Sequence, residues 1–221
     1  MCGRYTMHHL PQQLAMRFGI TEERATPTER YNIAPTQAVP VIIEGDGARF
    51  LDTMQWGLIP SWAKEPGIGN KMINARAETL PEKPAFKAAL SRRRCLIPAD
   101  GFYEWKTEGG TRQPMHIRRK DGELFAFAGL WEEWKQADGT PLRTCTIITT
   151  SPNAVLQPIH DRMPAILLPE DEAKWLQVAL NKSAEAIRLL HPYPAELLEA
   201  YPVDRRVNIP TFEDPALLNS L

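Results

Sequence analysis

Glycine-centred turn signals cut this sequence into strand-length runs, and that spacing restricts it to a sheet assembled largely from hairpins. Gly45-Asp46-Gly47 separates Val39–Ile43 from Ala48–Trp56, a strong hairpin signal. Gly109-Gly110 and Asp121-Gly122 mark further turns ahead of a strand over Leu124–Trp131. Cys95–Pro98 and Ala165–Leu168 are short apolar strands, and Arg143–Thr150 is a β-branched strand that stops at Ser151-Pro152. Phe102–Lys106 alternates, which places Phe102, Glu104 and Lys106 on one face and Tyr103 and Trp105 on the other. Helical periodicity is confined to a few stretches. Pro11–Phe18 carries Leu14 and Phe18 four apart, and Ala85–Leu90 offers one or two turns. Pro169-Glu170-Asp171 opens a helix carrying Ala173, Leu176 and Leu180, followed by a second near Ser183–Leu190. Thr26–Pro35 reads as loop, and so does Gly57–Asn70, a length uncommon without a function. Hairpin strands with helices set apart predict an α+β fold with a mainly antiparallel, barrel-like core and flanking helices.

The 221 residues, 43% of them hydrophobic, suit one large domain better than two. A net charge of −1 argues against a generic polyanion binder but leaves room for a local basic groove. Three cysteines, Cys2, Cys95 and Cys145, without a C-x-x-C spacing argue against a disulfide scaffold or a thiolate zinc site and suit a reducing compartment. No signal-peptide core and no bilayer-length apolar run is visible, so a soluble, intracellular protein is expected. His8-His9 is a candidate metal pair. Adjacent residues on a strand point to opposite faces, so no metal site or other cofactor is expected.

Met1-Cys2-Gly3-Arg4 carries the most chemistry. Once Met1 is removed, Cys2 bears an α-amine and a thiol on one residue, with ordinary pKa values near 8 and 8.5. An aldehyde can condense with the amine to an imine, which the thiol closes to a five-membered thiazolidine. A serine or an internal cysteine cannot form that product. Three further segments offer partners. Ile73-Asn74-Ala75-Arg76-Ala77-Glu78 supplies an amide and a guanidinium fork suited to phosphate. In Ala99-Asp100-Gly101-Phe102-Tyr103-Glu104-Trp105-Lys106 the Glu104 carboxylate shares a strand with aromatic rings, where desolvation raises a carboxyl pKa towards the range for proton transfer. Pro158-Ile159-His160-Asp161-Arg162-Met163-Pro164 places a histidine between an acid and an arginine. Each segment alone is equally compatible with an exposed strand or a solvated turn. No G-x-S-x-G elbow supports a serine hydrolase.

Six motifs occur in order: Met-Cys-Gly-Arg-Tyr, Tyr31-Asn32-Ile33-Ala34-Pro35, Trp56-Gly57-Leu58-Ile59-Pro60-Ser61-Trp62, Ile73 to Glu78, Pro98 to Trp105, and Ile159 to Pro164. In this the chain resembles the SOS-response-associated peptidase (SRAP) family, from residue 2 to about Pro210. It departs at Val207-Asn208-Ile209-Pro210, where the family usually has a Val-Asn-Asn-type segment. The resemblance implies a single SRAP-like domain over 1–221, with a core of about 2–210 and a short C-terminal tail, and a positively charged groove. It implies that the protein senses abasic sites in single-stranded DNA and crosslinks to them through Cys2, with Asn74, Glu104 and His160 around it. The enzyme class would be a self-crosslinking one of hydrolase or lyase type, and the location cytoplasmic or nucleoid-associated. Arg4, Arg76 and Arg162 become candidates for flanking phosphates, and Trp62 and Trp105 for stacking on bases. The expected partner is abasic single-stranded DNA, with no membrane and no metal, bound by a monomer. An amino-terminal-nucleophile hydrolase and a non-covalent single-strand-binding module remain as alternatives.

Overall fold

The computed structural model describes residues 2–177 and 182–221. Met1, and Leu180 of the expected third helix, lie outside the described residues. In chain order the strands are β1 (Tyr5–Met7), β2 (Glu22–Glu23), β3 (Arg30–Ile33), β4 (Ala38–Gly45), β5 (Ala48–Trp56), β6 (Asn74–Arg76) and β7 (Arg94–Ala99). They continue with β8 (Gly101–Glu108), β9 (Thr111–Arg119), β10 (Phe125–Lys135), β11 (Pro141–Thr150), β12 (Met163–Pro164), β13 (Ile166–Leu167) and β14 (Leu198–Pro202). Helices α1 (Pro11–Phe18), α2 (Pro84–Arg92), α3 (Pro169–Gln177) and α4 (Ser183–Ile187) flank them. No described helix is long and apolar enough to cross a membrane.

Five strands close a barrel in the order β4, β5, β11, β10, β7 and back to β4. Four of its seams are antiparallel, and the fifth is parallel, with Thr144 opposite Gln55 and Cys145 opposite Trp56. The predicted α+β class with a barrel-like, mainly antiparallel core is what forms. The β4–β5 hairpin turns on Asp46 and Gly47, both at positive φ, between the paired residues Gly45 and Ala48. That is the primed two-residue turn whose twist matches the strands. Helix α1 has the predicted bounds, opens on Pro11 and lays Leu14 and Phe18 on the core. Each buried side chain of this kind contributes roughly 1.5–3 kcal/mol.

A second sheet runs β14-β9-β8-β1-β3. It is joined to the barrel where β7 passes into β8 at Asp100-Gly101. A Cβ on Gly101 would sit 2.2 Å from Nε2 of His116 on β9, so only glycine fits this crossing. The predicted alternation holds here: Phe102 enters the main core while Tyr103 joins a smaller cluster with Val203, Val207 and Leu217. Residues beyond Pro210 therefore pack, with Leu217 fully buried in that cluster.

Four expectations need correction. Thr26–Pro35 is not all loop, since Arg30–Ile33 pairs with β1. Pro66–Lys71, overlapping the end of the expected long loop, forms a 3₁₀ helix. The last expected helix ends at Ile187 rather than Leu190. Strands β9 and β14 were not anticipated, because Thr111–Arg119 alternates poorly and Leu198–Pro202 is half-exposed and borders prolines.

Candidate functional site

Cys2 precedes β1, whose antiparallel register on β8 sets Tyr5 against Phe102, and whose approach is continued by the Tyr103 N–H donating to the Arg4 carbonyl at 2.9 Å. The pairing brings the amino-terminal residues alongside the stretch of β8 that holds Glu104. Both Cys2 and Glu104 are buried, with 0% and 2% exposure. Burial pushes the Cys2 thiol far up, and the Glu104 charge pushes it the same way. Glu104 is in turn raised above the ordinary carboxylate range by burial, while the nearby His160 opposes that rise. These three groups therefore share one electrostatic environment.

His160 sits on the turn that follows β11, its N–H donating to the Leu156 carbonyl at 2.8 Å. Its Nδ1 accepts from the Arg162 N–H at 3.0 Å, which leaves the proton of the neutral ring on Nε2. When protonated, Nδ1 faces the exposed Asp161 carboxylate 2.9 Å away. Asn74 lies on β6, which runs parallel to β11 with Asn74 opposite Ile147. Its amide nitrogen donates weakly to the Ile147 carbonyl at 3.4 Å, and its buried Oδ1 has no hydrogen-bond partner among the described residues. A buried amide oxygen in that condition costs free energy unless something donates to it.

The same edge organises the arginines. Arg162 donates through both terminal nitrogens to Glu78, at 2.9 and 2.8 Å, and to the Thr149 carbonyl at 2.7 Å. This ties the segment after β6 to the end of β11 and holds Glu78 below the usual carboxylate range through its hydrogen bond with Arg162. Arg76 is exposed beside it. Arg4 points inward instead: it donates to Asn32 Oδ1 and to the Val207 carbonyl, both at 2.8 Å. Trp62 is 60% exposed on its loop, whereas Trp105 is half-buried against the smaller cluster and donates to Asn208 Oδ1 at 2.8 Å. The fold thus gathers Cys2, Glu104 and His160, sets Asn74, Arg76 and Arg162 along one edge, and directs Arg4 and Trp105 to the C-terminal segment.

Two features were hidden in the sequence. Asn32 closes the C-terminal segment by facing the Ile209 and Phe212 carbonyls at 2.9 Å, contacts with backbone that leave no residue pattern. Asp100 is a hub for Thr6, His8 and His9. Burial pushes its carboxyl up, yet the contacts from His8, His9 and Thr6 outweigh that and hold it far below the usual range. The expectation that His8 and His9 diverge is wrong, because β1 ends at Met7 and both rings turn to Asp100. An acid at a strand corner before glycine was the available signal.

A relative from Bacillus subtilis (strain 168), "Abasic site processing protein YoqW", is 47% identical over the full length of both chains. "Abasic site processing protein YedK" of Escherichia coli (strain K12) is 32% identical over 94% of each. A crystal structure of a protein from Bacteroides thetaiotaomicron superposes over the whole of both chains with a TM-score of 0.91 at 31% identity. The family model described as "SOS response associated peptidase (SRAP)" matches residues 1–210, and the chain belongs to that family.

Proposed function

We propose that the protein processes abasic sites in single-stranded DNA by forming a thiazolidine between the exposed sugar aldehyde and Cys2, after loss of Met1. The observation that carries this reading is the group of buried Cys2 and Glu104 with the partly exposed His160, each altering the charge environment of the next. The relatives named for abasic site processing support the substrate.

The electrostatics order the steps. The pressure on the thiol keeps it protonated, so the amine attacks first. Before that, the closed sugar must open: His160 gives a proton to the ring oxygen, and the anomeric hydroxyl returns one to the imidazole as the C1′–O bond breaks and C1′ becomes an aldehyde. Glu104 takes a proton from the Cys2 ammonium, and the free amine adds to C1′. Loss of one water yields the imine. The thiol sulfur then adds to the imine carbon, its proton passing to the nitrogen, and the five-membered ring closes. The net change is loss of one water. Asn74 Oδ1, without a hydrogen-bond partner among the described residues, accepts from the amine or a sugar hydroxyl. Arg76 and Arg162 hold flanking phosphates and Trp62 stacks on a neighbouring base, while Arg4 and Trp105 act indirectly by fixing the C-terminal segment. The product makes the protein a self-crosslinking one rather than a peptidase.

The test is capture of abasic single-stranded DNA on a denaturing gel, with intact mass to confirm Met1 removal. Wild-type protein gives a stable adduct and Cys2→Ala none. Cys2→Ser, which keeps the amine, gives a species trapped only with a reducing agent. A Cys2→Ala variant that crosslinks like wild type overturns the reading.

A further inference from the structure

At the opposite end of β1 from Cys2, His8, His9 and Asp100 come together in a way the proposed reaction does not use. His8 Nδ1 lies 2.9 Å and His9 Nδ1 3.1 Å from the same oxygen, Asp100 Oδ2. Among the described residues the buried His8 Nδ1 makes no well-aligned hydrogen bond, its close neighbour being this carboxylate. The three ligand atoms lie within 4.8 Å of one another. We propose that His8, His9 and Asp100 bind a divalent transition-metal ion, with zinc the best match.

Two imidazole nitrogens and one carboxylate oxygen are a donor set for zinc or its neighbours, and a poor one for magnesium or calcium, which take oxygen. Zinc holds such ligands at about 2.0–2.2 Å, which spaces tetrahedral neighbours by about 3.3 Å. The two contacts to Asp100 Oδ2, at 2.9 and 3.1 Å, lie within a few tenths of an ångström of that spacing, and the three atoms stay within 4.8 Å of one another.

The outer contacts fix the ligands as a metal site requires. Thr6 Oγ1 donates to Asp100 Oδ1 at 2.5 Å, and the His8 N–H donates to Oδ2 at 2.6 Å. The His8 ring stacks on Tyr31, centroids 5.5 Å apart and planes at 18°. Asp100 closes the site from inside while His8 and His9 remain partly open, which leaves a fourth position to water. A groove lined by His9, Gln12, Gln13, Arg17 and Glu123 gives an ion a way in. The bound ion would clip the end of β1 to the start of β8. Binding exchanges the ion for any protons on the two ring nitrogens, with no change of oxidation state.

Titration of the chelator-stripped full chain with zinc chloride, followed by calorimetry and thermal melting, tests this. Wild type takes up one equivalent and melts higher with zinc. His8→Gln and His9→Gln each weaken binding at least 10-fold, and the double variant loses both the heat and the shift. Because both side chains are partly exposed, these variants should fold, and the His9→Gln single variant, which removes one contact, decides the matter if the double does not. Cobalt(II) in place of zinc distinguishes this site from one at Cys2, since thiolate ligation gives a charge-transfer band that histidine and carboxylate lack. Zinc binding of wild-type affinity in His9→Gln, a thiolate band with cobalt, or no uptake at all overturns the proposal.

Discussion

Glu104 has two requirements that burial sets against each other: a carboxylate surrounded by protein is a stronger base and a less comfortable charge. Its folded pKa lies above its unfolded one, so folding takes up a proton across the interval between them. Stability is greatest below that interval, where the group is neutral in both states, and falls as pH rises through the folded pKa. Glu104→Gln removes the ionised state. The variant is expected to melt above wild type at neutral and alkaline pH, with the gain shrinking towards about pH 4, where an ordinary carboxyl protonates; melting curves across pH check this. The same substitution should slow crosslinking by about 10²–10⁴-fold and abolish the acid limb of the rate profile. His160→Gln should be slow with abasic DNA yet close to normal with a small aldehyde that needs no ring opening. Equal slowing with both substrates would reverse the roles of the two residues.

Strands and helices differ in how well they announce themselves. Strand β5 and α1 were legible to the residue, and β4 to within one residue at its start and two at its end, because turn chemistry and four-residue spacing are local properties. Strand β14 was not, since its pairing with β9 is a tertiary event that Leu198–Pro202 does not encode by itself. The site was legible in the same uneven way. Segments bearing Cys2, Asn74, Glu104 and His160 stand out, but the Glu78 clamp on Arg162 and the inward turn of Arg4 depend on neighbours far along the chain. At this scale the β7–β8 corner gives a sharp prediction. Gly101→Ala drives a methyl into the His116 ring and is expected to cost roughly 1–3 kcal/mol, read from urea unfolding.

Over the whole molecule, near-neutral charge means that DNA affinity has to come from a few cations. Arg76→Ala should weaken single-strand binding and flatten the plot of log affinity against log salt by less than about one unit. Arg162→Ala should also weaken binding, and in addition lower stability, because its guanidinium joins Glu78 to Thr149. Fluorescence anisotropy across a salt series, paired with melting curves, separates the two effects. Leu217 extends the folded unit well past the last motif, and Leu217→Ala should cost about 2–5 kcal/mol by thermal denaturation.

The bond from Arg4 to the Val207 carbonyl spans 203 positions of sequence. During translation the amino terminus emerges first, but this clasp cannot close until Val207 has left the ribosome. At about 5–20 residues per second, that delay is on the order of 10–40 s. Through that interval the first residues lack one of their permanent anchors, so an aminopeptidase that trims Met1 meets a loosely held substrate. Once the clasp forms, Cys2 is enclosed. On this account any trimming of Met1 falls while the chain is being made, before Cys2 is packed into the core.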